Sequence, residues 1–119
     1  MPLIRITTSR VPRVVTRDAV LGELSKQASK LFGKPERWVM TCLDAVAAMT
    51  FGGSSAPAAY VEVKNIGPLD AALARRVSAV VTAEVAKLGI ERDRIYIEMT
   101  AAEGERWGHA GATFADSAR

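Results

Sequence analysis

The sequence predicts an α+β fold in which two β-α-β units, each resembling the other, build a four-stranded mixed sheet with two antiparallel helices on one face. Short β-branched stretches flank a helical stripe, and this order occurs twice. Aligning LFGKPERWVM with KLGIERDRIYI sets Gly33 over Gly89, and a strand-like stretch follows each turn, as an internal duplication requires. The chain has 119 residues, 49% of them hydrophobic and 24% charged, so it has the composition of a globular domain and the length for a single core. Residues 1–119 are therefore read as one domain.

Residues 3–8 open the first unit as a strand, with Ile4 and Ile6 on one face and Arg5 and Thr7 on the other. Over residues 17–32, Val20, Leu21, Leu24, Ala28 and Leu31 recur at helical spacing. Thr16 is the expected cap and Gly33 the expected left-handed stop. Residues 38–43 are apolar at nearly every position, which predicts an internal strand. In the second unit, residues 58–64 alternate Ala59, Val61 and Val63 with Tyr60, Glu62 and Lys64. Residues 69–88 carry a stripe of Leu73, Val77, Val80, Val81, Val85 and Leu88 between Pro68 and Gly89. Residues 94–99 close the pattern, with Ile95, Ile97 and Met99 opposite Tyr96 and Glu98.

Right-handed crossovers put both helices on one side of this sheet, leaving the other side bare. A chain this short has only another copy of itself to cover that face, so a homo-oligomer is expected. Residues 44–57 and 101–119 fall outside the repeats, and such connecting segments are where functional groups concentrate.

Composition excludes several function classes. Sixteen Lys and Arg against 13 Asp and Glu give a charge of only +3 without clustering, a poor footprint for nucleic acid. Two Trp, two Tyr and three Phe are too few, and too scattered, for the aromatic sheet of an RNA-recognition module. The longest nearly uncharged stretch, residues 45–61, is interrupted by Gly, Ser and Pro, so no membrane span is expected. No apolar run of signal-peptide length follows the start, and a cytoplasmic location is expected. Cys42 and His109 are each the sole residue of their type, which argues against a disulfide or a transition-metal site. Cys42 is expected to be buried and inert. No metal and no cofactor are expected.

Pro2 is the first candidate for chemistry. If Met1 is removed, its nitrogen becomes a secondary amine held in a rigid ring at the start of a strand. An α-amino group ordinarily titrates at about 8, so serving as a base at neutral pH requires burial or a nearby cation. One positive charge at about 6 Å in an effective dielectric of about 20 contributes roughly 2.8 kcal/mol toward the free base. Lys34 is a candidate for that cation, although a lysine just past a helix also complements the helix dipole.

The opening MPLI, the segment GKPERW at residues 33–38, the loop FGGSSAP at 51–57, Ile66-Gly67, DRIYIE at 93–98 and GATFA at 111–115 together resemble the macrophage migration inhibitory factor family. D-dopachrome tautomerase is its sister group, and 4-oxalocrotonate tautomerase a half-length relative sharing the amino-terminal proline. The resemblance spans almost the whole chain. It implies a homotrimer with pockets at the subunit boundaries and a keto-enol tautomerase of the phenylpyruvate or dopachrome type, acting on a small, aromatic enol or α-keto acid. It further implies Pro2 as acid/base and Lys34 as the group that binds the substrate carboxylate and biases the proline nitrogen. Ile66 and Trp38 correspond to pocket walls, Tyr96 to a residue contributed by the neighbouring subunit, and Phe114 to the aromatic floor.

Three departures from the family pattern bear on specificity. Glu98 stands where animal members carry an asparagine, which predicts repulsion of an anionic substrate, stabilisation of the proline cation, or a pairing with Lys34 or an arginine. Trp107 is displaced upstream and His109 occupies the Gly-Trp-Asn region, so the aromatic wall is expected to be rebuilt, with Glu98, Trp107 and His109 as further substrate-binding candidates. The C-x-x-C pair of some animal members is absent. The alternative expectation is a signalling or binding protein of the same fold with a vestigial pocket.

Overall fold

The computed structural model describes residues 2–116. Strands β1 (Leu3–Thr8), β2 (Met40–Ala45), β3 (Ala59–Ile66) and β4 (Ile95–Ala102) form one mixed sheet in the order β2-β1-β3-β4. Helix α1 (Val14–Phe32) connects β1 to β2, which pair in parallel, and α2 (Ala71–Ala86) connects β3 to β4, also parallel. The two units join through the antiparallel β1/β3 pair, Leu3 opposite Lys64 and Thr8 opposite Ala59. Each helix runs against its own strands, so the antiparallel centre makes the helices antiparallel as well.

Period-two alternation decides which side is covered. Ile4 and Ile6 of β1 and Ala59, Val61 and Val63 of β3 are buried against Val20, Leu24 and Ala28 of α1 and Val77, Val81 and Val85 of α2. The other face carries Arg5, Cys42, Glu62 and Glu98 in one register row and Asp44, Thr7, Tyr60 and Tyr96 in another. No element among the described residues covers it. Arg5 pairs with Asp44 at 2.9 Å, and Tyr60 donates to Glu98 at 2.6 Å, so its polar groups satisfy one another across the strands.

The duplication extends to the turns. Gly33 and Gly89 both have positive φ, at 61° and 93°, and each is followed by a single 3-10 turn, Glu36–Trp38 and Arg92–Arg94, that leads into a strand. A Cβ at Gly89 would meet the Arg10 guanidinium at 3.2 Å, so both conformation and space favour glycine there.

Several boundaries and placements differ from those expected. Helix α1 starts at Val14, not after Thr16: Arg13 occupies the cap with no side-chain bond, and its carbonyl accepts from the Arg17 N–H at 2.9 Å. Helix α2 starts after Asp70, whose carboxylate accepts from the Leu73 N–H at 2.8 Å. Strand β2 begins at Met40, because the 3-10 turn lifts Trp38 off the sheet. It is also an edge strand, not an internal one. Its apolar character has another cause: Leu43 faces the core, while Met40 and Cys42 lie on the uncovered face, where Met40 is 65% exposed. Cys42 is half-buried, not buried, and desolvation raises its thiol pKa above the ordinary value, which keeps it protonated. A hairpin of β5 (Gly108–His109) and β6 (Ala112–Thr113) appears in the tail, turning through Ala110 and Gly111 at φ 52° and 83°. No helix among the described residues is long and apolar enough to cross a membrane.

Candidate active site

One cleft gathers most of the sequence-derived candidates. It encloses about 330 Å³ and is lined by Pro2, Trp38, Trp107, His109 and Phe114, with Arg37 at its wall and Leu3, Val39 and Met40 completing it. Pro2 arrives there because β1 starts at Leu3; its side chain is fully buried and its carbonyl accepts from the Met40 N–H at 3.0 Å. That bond fixes the first residue before β1 against the first residue of β2.

The aromatic wall comes from two distant segments. The tight turn at 36–38, closed by Trp38 N–H to Pro35 and Val39 N–H to Glu36, presents the indole of Trp38 to the cleft. The tail hairpin brings His109 edge-on to it, with ring centroids 4.9 Å apart, and Phe114 edge-on at 5.4 Å. Such perpendicular contacts suit the ring quadrupoles and stiffen the wall. The Phe114 N–H donates to the Trp107 carbonyl at 3.1 Å, prolonging the hairpin ladder so that Trp107 and Phe114 stay together.

Lys34 and Ile66 meet each other beside this cleft without lining it. Ser29 accepts the Lys34 N–H and donates its hydroxyl to the Lys34 carbonyl at 2.5 Å, which anchors the backbone just past Gly33. The Lys34 ammonium donates to the Ile66 carbonyl at 3.0 Å. Since Lys64 opposes Leu3, the last residues of β3 run past the start of β1, so this contact lies at the Pro2 end of the sheet. Asn65, one step beyond that pair, is buried, and its Oδ1 has no hydrogen-bond partner among the described residues.

Tyr96 and Glu98 are not in the cleft of their own protomer. Tyr96 shares its register row with Tyr60 and Thr7, five residues from Pro2 along β1 or about 17 Å. It is 64% exposed, and its ring leans on Phe51 at 4.6 Å. Glu98 lies on the uncovered face, on the edge strand β4 beside Glu62. It accepts from the Tyr60 hydroxyl and from Thr100, in place of the expected partners Lys34 or an arginine, and it holds the Tyr60 phenol above its ordinary pKa.

Phe51 is itself held by a clamp. The Arg94 guanidinium donates to the carbonyls of Phe51, Ser54, Ala56 and Pro57 at 3.0–3.2 Å and lies over the Phe51 ring at 5.2 Å. Sequence reasoning missed this clamp, and it missed Arg37 as a lining residue. Both arginines sit inside the segments quoted for their motif character, but only the 3-10 turns determine which way they point.

No Asp or Glu lines the cleft, whereas Arg37 and His109 do. A pocket with aromatic walls, an arginine in its wall and no lining carboxylate can accommodate an anionic, ring-bearing small molecule.

Comparison with known proteins bears on the family and the fold. The family model described as macrophage migration inhibitory factor (MIF) matches residues 1–115. A macrophage migration inhibitory factor homolog of Trichuris trichiura is 30% identical over 115 residues, covering 96% of this chain and 100% of the relative. Among solved structures, a macrophage migration inhibitory factor homologue from Prochlorococcus marinus is 44% identical with a TM-score of 0.87, covering 94% of this chain and 98% of that one. A structure described as a Q0 fused 4-OT wild type symmetric trimer has a TM-score of 0.87 at 20% identity, covering 98% of this chain and 99% of that one, and shares the fold. The chain belongs to the macrophage migration inhibitory factor family.

Proposed function

We propose that the protein is a keto-enol tautomerase for aromatic α-keto acids, with the Pro2 nitrogen as its acid/base after removal of Met1. Met1 lies outside the described residues. The observation that carries the reading is a fully buried Pro2 in a cleft with aromatic walls and no lining carboxylate. Burial and the cations around the cleft both disfavour a second positive charge on the amine, which leaves it free to take a proton at neutral pH.

In the conversion of enol to ketone, the enol oxygen loses its proton, the C=O bond forms, and Cβ gains a proton from the proline nitrogen. Base and acid are the same group, so Pro2 ends as it began. Lys34 lowers the cost of the intervening enolate by placing positive charge near its oxygens, and the rings of Trp38 and Phe114 hold the substrate ring and exclude water. The reaction transfers only protons, so these residues supply the whole chemistry.

Leu3 and Met40, which lie on the uncovered sheet face, are among the residues lining the cleft, and this reading includes a trimer in which Tyr96 from a neighbouring copy completes it. Tyr96 is well exposed and about 17 Å from Pro2 along its own sheet, which suits a residue serving another protomer's cleft. The alternative of a binding protein with a vestigial pocket gains nothing from the two departures that suggested it. Glu98 is engaged by Tyr60 outside the cleft, and the altered tail supplies its wall.

The test is enol-to-keto conversion of phenylpyruvate by protein whose amino terminus has been defined by mass spectrometry. Active protein should begin at Pro2, and Pro2→Gly should lower kcat/KM by about 100-fold, the scale of a general acid/base. Full activity with Met1 retained, or an unchanged rate in Pro2→Gly, overturns the assignment.

A further inference from the structure

We propose that Arg37 makes the cleft selective for aromatic substrates that carry a second anionic group on the ring, remote from the α-keto acid. The inference rests on the tautomerase reading but concerns a different end of the substrate. Two cations border the site, and they are held differently. The Lys34 ammonium is tied to the Ile66 carbonyl at the Pro2 end of the sheet, where an α-carboxylate next to the reacting carbon would lie. Arg37 is instead part of the cleft wall itself. No carboxylate among the described residues pairs with it, and no acidic residue lines the cleft to compete.

Its guanidinium is also pre-oriented. It lies over the Trp38 ring at 5.3 Å, and that ring is in turn fixed edge-on by His109 and Phe114. The contact with the indole uses no N–H of the guanidinium and no hydrogen bond ties Arg37 to the described residues, so its N–H edge is available to bind a carboxylate in a fork. The backbone beneath it is tied on both sides by the Trp38 and Val39 N–H bonds of the 3-10 turn, so little freedom remains to be lost on binding. An aromatic ring inserted beside Trp38 would bring a para substituent toward this edge.

The experiment compares kcat/KM for phenylpyruvate and for 4-carboxyphenylpyruvate at low ionic strength, in wild type, Arg37→Gln and Arg37→Lys. Because Arg37 is exposed, the expected preference of wild type for the carboxylated substrate is about fivefold, expressed in KM. It should collapse to about one in Arg37→Gln and be partly kept in Arg37→Lys. Quenching of tryptophan fluorescence by terephthalate and by benzoate reads the same preference without catalysis. A ratio near one in wild type, or an equal ratio in Arg37→Gln, overturns the proposal while leaving the role of Pro2 intact. If neither keto acid is converted but Arg37→Gln abolishes a preference for terephthalate, the tautomerase reading fails and the anion site stands. If terephthalate binds no better than benzoate and neither acid is converted, both fall.

Discussion

Replacing Arg94 should loosen the 51–57 loop and carry a measurable stability cost. Its side chain makes four hydrogen bonds to loop carbonyls, two part-buried, to Pro57 and Phe51, and two exposed, to Ser54 and Ala56. Taking about 1 kcal/mol for each part-buried bond and about 0.5 for each exposed one, whose carbonyl regains water, gives about 3 kcal/mol for Arg94→Met, which keeps the apolar stem. An unfolding entropy of about 2.1 cal/mol/K per residue over a chain of this length converts that to a fall in Tm of about 12 °C. Arg94→Lys, a single point donor on a flexible stem, should recover no more than half. The assay is thermal unfolding by circular dichroism at one fixed protein concentration, because self-association also moves Tm. A shift below 2 °C for Arg94→Met would refute the reasoning and show that the carbonyls are as well served by water. The clamp also seats Phe51 under Tyr96, so Arg94→Lys should raise KM severalfold if Tyr96 completes a neighbouring cleft.

Asp70→Ala removes the only side-chain cap bond of α2, and should cost about 1 kcal/mol, read as a Tm lower by about 4 °C. Ala110 holds a left-handed φ of 52° in the tail hairpin, so Ala110→Gly should be neutral to stabilising by up to about 1 kcal/mol, whereas Ala110→Val should unseat His109 and Phe114 and weaken aromatic ligands. The hydrogen bond to Glu98 raises the Tyr60 pKa, since ionising the phenol removes the donor and sets two anions side by side. In ultraviolet titration of a Tyr96→Phe background, Tyr60 should therefore ionise above the ordinary tyrosine range and return toward it in Glu98→Gln. No change between the two would mean that the pair does not persist in solution.

Local chemistry settled the elements that depend on neighbours in sequence. Gly33 stops α1 at positive φ, Gly89 turns the chain at positive φ three residues after α2 ends at Ala86, and the stripe Val77, Val81 and Val85 is buried as its spacing requires, because backbone conformation and helical periodicity act over a few residues. The boundaries that moved did so where a weak local preference lost. Thr16 is a better cap than Arg13 by residue type, yet α1 extends two residues upstream of it. Trp38 reads as strand but is wound into a 3-10 turn that aims it away from the sheet.

The candidate site divides along the same line. Pro2 was recognisable from chemistry alone, since no other residue type offers a rigid secondary amine, and the family motifs pointed to Lys34, Trp38 and Phe114. Whether these residues meet is a tertiary fact. Residues 2, 38 and 107–114 converge only because β1 and β2 pair in parallel at their starts and the tail folds back as a hairpin. Arg37 enters the cleft wall, and Glu98 stays out of the cleft on the open face, for reasons of turn geometry and strand register that composition does not encode. By itself the sequence determined the periodicities, the stops and the chemical repertoire, which are properties of short segments. Only the tertiary structure decided which side chains share one cavity, because that depends on pairings between residues tens of positions apart.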